Sequence, residues 1–119
     1  MIEDRINIGL SVEANNVADV LEETEYFEDR LAIAKFALAY AVRNGLDTGL
    51  AEFKVGESGG TKWNIGSVDA DKYLHSLILS LYPDTKTPYR YIEALMNKGL
   101  LSIGKIIEAE GIGKISKFM

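Results

Sequence analysis

Arg5 to Leu10 alternates polar and apolar side chains, with Ile6, Ile8 and Leu10 on one face and Arg5, Asn7 and Gly9 on the other. A period of two predicts a short, half-buried strand. The period then changes. Val17, Val20 and Leu21 recur at helical spacing behind Ser11, a good N-cap, and predict a helix ending at Glu23-Thr24. A second helix is predicted over the densely apolar run Leu31–Val42, with Gly45 placed as its C′ glycine. Residues 45–66 hold six glycines, yet Ala51, Phe53 and Val55 alternate with Glu52 and Lys54, and the alternation resumes at Thr61, Trp63 and Ile65. Two alternating runs around Gly59-Gly60 predict a β-hairpin at 51–65, with Phe53 and Trp63 on its buried face.

The remainder reads as helix. Ser67 or Asp69 is positioned to cap a helix running to Tyr82, with Tyr73, Leu74, Leu77, Ile78 and Leu81 as its apolar stripe and Pro83 as its stop. Thr87-Pro88 then forms a cap followed by an N1 proline, and Gly99 is read as the end of that helix. A final short helix is expected from Ser102 to Glu110, before the tail GIGKISKFM. The expected fold is mainly α and a single domain over residues 1–119: a short N-terminal strand, a bundle of four to five helices, and the hairpin near 51–65. An alternative is an α+β domain in which strand 5–10 joins the hairpin within one chain.

A strand followed by two helices is also the element order of a ribbon-helix-helix protomer. In that arrangement the strand pairs with its twin from a second chain, and its outward side chains read DNA. Arg5 and Asn7 are suited to this, because arginine pairs bidentately with guanine and asparagine with adenine in the major groove. The second helix carries Glu25, Glu28 and Asp29 at its N-terminal end, a sign that opposes phosphate contact there.

Composition narrows the field. The chain has 119 residues, 47% of them hydrophobic and 26% charged, in the range of a globular domain. It has no cysteine and a single histidine, so neither a disulfide framework nor a zinc site is expected. The run Leu31–Val42 is too short to span a bilayer, and Glu3 and Asp4 near the start do not fit a signal peptide, so a cytoplasmic protein with no membrane partner is expected. Net charge is −5, but it is distributed unevenly: residues 1–60 hold 12 acids and 5 bases, residues 61–119 hold 6 acids and 8 bases. Lys62, Lys72, Lys86, Arg90, Lys98 and Lys105 are therefore the candidate phosphate contacts, being bases not outnumbered locally by acids.

Other constellations are explained by structure alone. Gly56 to Lys62 superficially suggests a phosphate loop, but Thr61 rather than glycine precedes Lys62 and Trp63 follows it, so a turn is expected. His75 lies on an apolar helix with no nucleophile to serve and is read as structural. Asp69 and Asp71 fall in a first helical turn, where the helix dipole favours negative charge. Tyr89 and Tyr91 flank Arg90 in the style of a stacking site, although on a helix they diverge and one belongs to the core. The Gly99–Gly113 segment bears a faint likeness to a helix-hairpin-helix turn, opposed by Glu108 and Glu110. The expectation is a protein that is not an enzyme and takes no cofactor or metal.

With these elements in order, the chain resembles the DndE family, small proteins of bacterial DNA phosphorothioation (sulfur modification) systems. The resemblance covers most of the chain and rests on the opening strand with Ser11, the alanine-rich helix LAIAKFALAYAVRNG, and Trp63-Asn64-Ile65-Gly66. It continues through the acid-capped apolar helix Asp69–Leu81 and the segment Met96-Asn97-Lys98-Gly99-Leu100. It implies a compact helical protein that assembles into tetramers, binds DNA through basic surface residues, and serves a modification or defence complex as a non-catalytic accessory subunit. The competing class is a protein–protein adaptor that docks a basic partner through its acidic first half, or a ribbon-helix-helix antitoxin or regulator. The helix Leu31–Val42 is apolar on more than one face, which is the sequence argument for a homo-oligomer.

Overall fold

The computed structural model of the chain describes residues 3–111 and Gly113. Its elements are β1 (Asn7–Ser11), α1 (Val12–Glu22), α2 (Arg30–Arg43), β2 (Ser58–Asn64), α3 (Ile65–Val68), α4 (Tyr73–Leu81) and α5 (Pro88–Glu110). The fold is mainly helical with one two-stranded antiparallel sheet. Lys114 and Lys117 of the C-terminal tail lie outside the described residues.

Local signals set most of the helix ends. The Ser11 side chain accepts from the Ala14 N–H at 3.1 Å and starts α1. Asp29 accepts from the Ala32 N–H at 2.8 Å and starts α2, which closes at Asn44 with Gly45 at φ +69°. Arg30 joins the two helices by bonding Glu22 at 2.8 Å, Asn15 at 2.7 Å, and Asp19. Pro88 opens α5 at its first turn, as the Thr87-Pro88 pair predicts. The cap itself comes from far away in sequence: the Asp4 carboxylate accepts from the Tyr89 and Arg90 N–H groups at 3.1 and 3.0 Å. Asp69 lies before α4, and its two oxygens accept from the Leu74 and His75 N–H groups at 2.8 and 3.0 Å. The helix it serves begins at Tyr73, later than the sequence suggests.

The core surrounds α5, which packs against α2, α1, β1 and α4. Buried Ile8, Leu10, Leu21, Ile33, Ile92, Leu95, Met96, Leu100 and Ile103 fill it. Small residues set how closely the helices approach. A Cβ on Gly99 would lie 2.1 Å from the Ala37 carbonyl oxygen, so α2 and α5 touch backbone to backbone there. This corrects the reading of Gly99 as a helix end. Its glycine character answers α2 rather than a C-cap, and α5 runs unbroken through it to Glu110, 23 residues in all, absorbing the expected final helix. No turn interrupts that helix, so the helix-hairpin-helix likeness also falls.

The expected hairpin is corrected too. The first arm, 51–55, is not a strand, and β2 pairs instead with β1 of the same chain, with Ile8 opposite Trp63 and Gly9 opposite Lys62. Phe53 and Trp63 are nonetheless half-buried against the core. The other edge of β1 is closed by α5. Buried Glu93 accepts from the Gly9 N–H at 2.9 Å, while Asn97 accepts from the Ser11 N–H at 2.9 Å and donates to the Gly9 carbonyl at 3.0 Å. The Asn97 amide thus takes the place of a third strand's peptide group. β1 is thus occupied along one edge by β2 and, at Gly9 and Ser11, along the other by α5, so it is not free to pair with a twin strand as a ribbon-helix-helix protomer requires.

Three further sequence expectations change. Val20 and Tyr73, assigned to apolar stripes, are 40% and 65% exposed, whereas Ala14, Ala18 and Leu21 bury α1 and Ile78 is the buried residue of α4. Helix α2 is covered by its own chain, with Ile33, Ala34, Ala37, Leu38 and Ala41 buried and Leu31, Phe36 and Val42 packed on the core. Its apolarity therefore gives no argument for a second subunit.

Candidate nucleic-acid interface

Four of the eight candidate DNA-contacting residues converge. Arg5 stands just before β1, Lys62 lies on β2, Lys86 lies in the turn between α4 and α5, and Arg90 is in the first turn of α5. All four line one open cleft of about 800 Å³. The 50–56 segment forms its opposite wall with Leu50, Phe53, Val55 and a base the sequence reading missed, Lys54. Lys54 escaped because it sits in the acid-rich half of the chain, where local charge counting discounts it. Its position on the polar side of the Ala51–Val55 alternation was the only available signal.

The electrostatics of the cleft oppose those of the whole chain. Five bases line it, Arg5, Lys54, Lys62, Lys86 and Arg90, against two acids, Asp84 and Glu93. One acid is already engaged: Arg5 Nε lies 3.5 Å from Glu93 Oε1 and also donates to the Asn7 carbonyl at 3.3 Å. Arg90 uses its Nε on the Glu3 carbonyl at 2.7 Å, which holds the side chain's stem while the residue stays exposed. Among the described residues, no carboxylate lies within ion-pair distance of Lys54, Lys62 or Lys86. These three ammonium groups are exposed or near the cleft mouth, and a chain of net charge −5 carries here a local excess of positive charge.

Apolar and aromatic residues line the cleft beside the bases. Leu10 and Leu50 are buried, and Phe53 and Tyr91 are half-buried. Lys98 holds the far wall, donating from Nζ to the Thr48 carbonyl at 2.7 Å and standing 5.6 Å from the Phe53 ring centroid. Tyr82 anchors the other side by donating to Asp47 at 2.5 Å and meeting Tyr91 edge-on with ring centroids 5.6 Å apart. Burial, reinforced by the Asp47 carboxylate, pushes the Tyr82 hydroxyl well above its ordinary pKa.

The remaining candidates lie elsewhere. Asn7 stands opposite Asn64 in the sheet and is not part of the cleft. Arg5 and Asn7 therefore do not form a paired reading ribbon, since β1 stays within its own chain. Lys98 is half-buried and spends its charge on Thr48 and Phe53. Lys72 is exposed at the start of α4 with φ +61°, and Lys105 is exposed fifteen positions beyond Arg90 on α5, roughly 22 Å along the axis. The Gly56–Lys62 segment becomes strand and cleft wall, and no helix opens at Lys62, so it is not a phosphate loop. Tyr89 and Tyr91 do diverge: Tyr91 faces the cleft, whereas Tyr89 is buried and donates to Asp69 at 2.9 Å. His75 packs beside Tyr89, with ring centroids 5.5 Å apart.

No family model, curated protein or solved structure matches the chain. Among the described residues no helix is long and apolar enough to cross a membrane, and no group of three or more acidic or histidine side chains is placed to hold a metal ion.

Proposed function

We propose that this protein is a nucleic-acid-binding subunit without catalytic activity of its own, and that its basic cleft holds phosphate groups. The observation that carries this reading is the convergence of bases from three separate chain segments around one cavity: Arg5, then Lys54 and Lys62, then Lys86 and Arg90. Bases scattered merely for solubility have no reason to gather while the rest of the surface is acidic. The DndE resemblance supplies a context, an accessory subunit of a bacterial DNA phosphorothioation or related defence complex, acting in the cytoplasm as a dimer or tetramer. Repetition of the cleft in an oligomer offsets the unfavourable net charge, because each copy adds its own phosphate contacts.

The test is DNA binding followed by fluorescence anisotropy over a salt series, with the wild type beside Lys54→Ala/Lys62→Ala/Lys86→Ala. Each phosphate contact adds roughly 0.9 to the slope of log K against log salt for duplex DNA, and about 0.7 for a single strand. The triple variant loses that slope in proportion to the contacts removed. Absence of binding to duplex or single-stranded DNA at low salt overturns the proposal.

A second reading has its own observation. Glu23, Glu25 and Glu28 are exposed beside Tyr26, itself 56% exposed, while the nearest base, Arg30, is committed to Asp19 and Glu22. That surface suits a basic protein partner. An adaptor function predicts a partner lost on Glu23→Lys/Glu28→Lys and retained in the lysine triple variant.

A further inference from the structure

Resting on the phosphate-binding reading, we propose that the cleft receives one unstacked nucleotide of a single strand, its base against the apolar wall and its phosphate among the bases at the mouth. A duplex presents its phosphates on a convex surface, which touches the rim of a concavity and leaves the interior empty. A cleft of about 800 Å³ lies within the roughly 300–1,000 Å³ typical of sites that enclose a small ligand. A concavity of that size lined by both aromatic and basic side chains matches a ligand that is planar and apolar at one end and anionic at the other. A nucleotide freed from base pairing has that form.

The lining agrees. Phe53, Val55 and Tyr91, all partly exposed, supply apolar and aromatic surface, while Lys54, Lys62 and Lys86 carry charge unmatched by any neighbouring carboxylate among the described residues. Every nucleobase has a face that stacks on an aromatic ring, so such a wall tolerates any sequence. Two of the polar groups in the lining are already engaged. Glu93 is held by Gly9 and Arg5, and the Thr85 hydroxyl accepts from the Thr87 N–H at 3.1 Å. The wall is also built in advance. Lys98 ties the 48–53 segment to α5 through Thr48 and Phe53, so a base enters a surface already in place and the ordering cost of binding falls.

The experiment measures binding of a short oligothymidylate, the same oligomer with abasic sites, and a blunt duplex at one low salt concentration, using the full-length protein. The expected order is oligothymidylate tightest, with about tenfold loss on removing the bases, as stacking on protein aromatics gives. Phe53→Leu keeps an apolar side chain and removes the ring. It weakens oligothymidylate severalfold and leaves the abasic oligomer unchanged, with circular dichroism confirming that the variant is folded. Equal binding of base-bearing and abasic oligomers, or tighter binding of the duplex, overturns the nucleotide site while the phosphate reading stands. No binding by any of the three overturns both. The abasic comparison needs no mutation and decides the matter even if Phe53→Leu fails to fold.

Discussion

Asn97→Asp is the most discriminating change the fold offers. The two side chains are nearly the same size, so no cavity forms, and the substitution alters only hydrogen bonding and charge. Asn97 is fully buried. Its Nδ2 donates to the Gly9 carbonyl at 3.0 Å and the Glu93 carbonyl at 2.8 Å, while its Oδ1 accepts from the Ser11 N–H at 2.9 Å. Aspartate keeps the last bond and turns both donations into contacts between oxygens. Orphaning the buried Gly9 carbonyl costs about 1–3 kcal/mol. An uncompensated buried carboxylate adds several kcal/mol more. The expected loss at neutral pH is at least about 4 kcal/mol, a large share of the roughly 5–15 kcal/mol that holds a typical domain folded. In urea, with a slope of about 1.5 kcal/mol per molar, the midpoint falls by roughly 2.5 M or more. Amide hydrogen exchange gives the local readout. In the wild type the Gly9 and Ser11 amides are protected despite belonging to a two-stranded sheet, because α5 closes their edge. A variant within about 1 kcal/mol of wild type, or rapid exchange at Gly9 and Ser11 in the unmodified protein, would refute the closure of β1 by Asn97 and Glu93.

Two further expectations concern packing and pH. Gly99→Ala gains about 1 kcal/mol of helix propensity at an ordinary helix position, but the new Cβ meets the Ala37 carbonyl oxygen at 2.1 Å, which a backbone atom cannot rotate away from. A net destabilisation of about 2 kcal/mol or more is expected in urea unfolding, and a neutral or stabilising effect contradicts the close α2–α5 approach. Burial and the bond to Asp69 push the Tyr89 hydroxyl up to about 12, above the ordinary value near 10. Because the folded value is raised, its contribution to stability is complete below about pH 10 and disappears as pH rises through about 12. Tyrosinate absorbance at alkaline pH therefore shows late-ionising residues in the native protein, one of them absent in Tyr89→Phe.

What could be read without tertiary structure was what a few neighbouring residues determine together. Ser11 capping α1, Gly45 behind α2 and Pro88 in the first turn of α5 are local features, each found where the pattern places it, whereas the cap expected of Thr87 is supplied by the distant Asp4. The strand expected over Arg5–Leu10 was partly legible for the same reason, because alternation is a property of the segment itself: Ile8 and Leu10 are buried, although the strand runs Asn7–Ser11 and Ile6 is 77% exposed. The partner strand was not. Pairing depends on which distant segment reaches the strand's edges, and here β2 takes one edge while two side chains of α5 take the other. Gly99 shows the limit most plainly: a glycine after an apolar helical run signals a C-cap when solvent lies beyond it, and a close crossing when another helix does. Only Ala37, contributed by α2, distinguishes the two. The cleft belongs to the same category. Three of its bases were named from local charge and Arg5 from its place on the strand, but Lys54 was hidden among acids, and the grouping of all five comes from the fold bringing separate segments together. Charge along a chain adds in one dimension, whereas the field a ligand meets is summed in three.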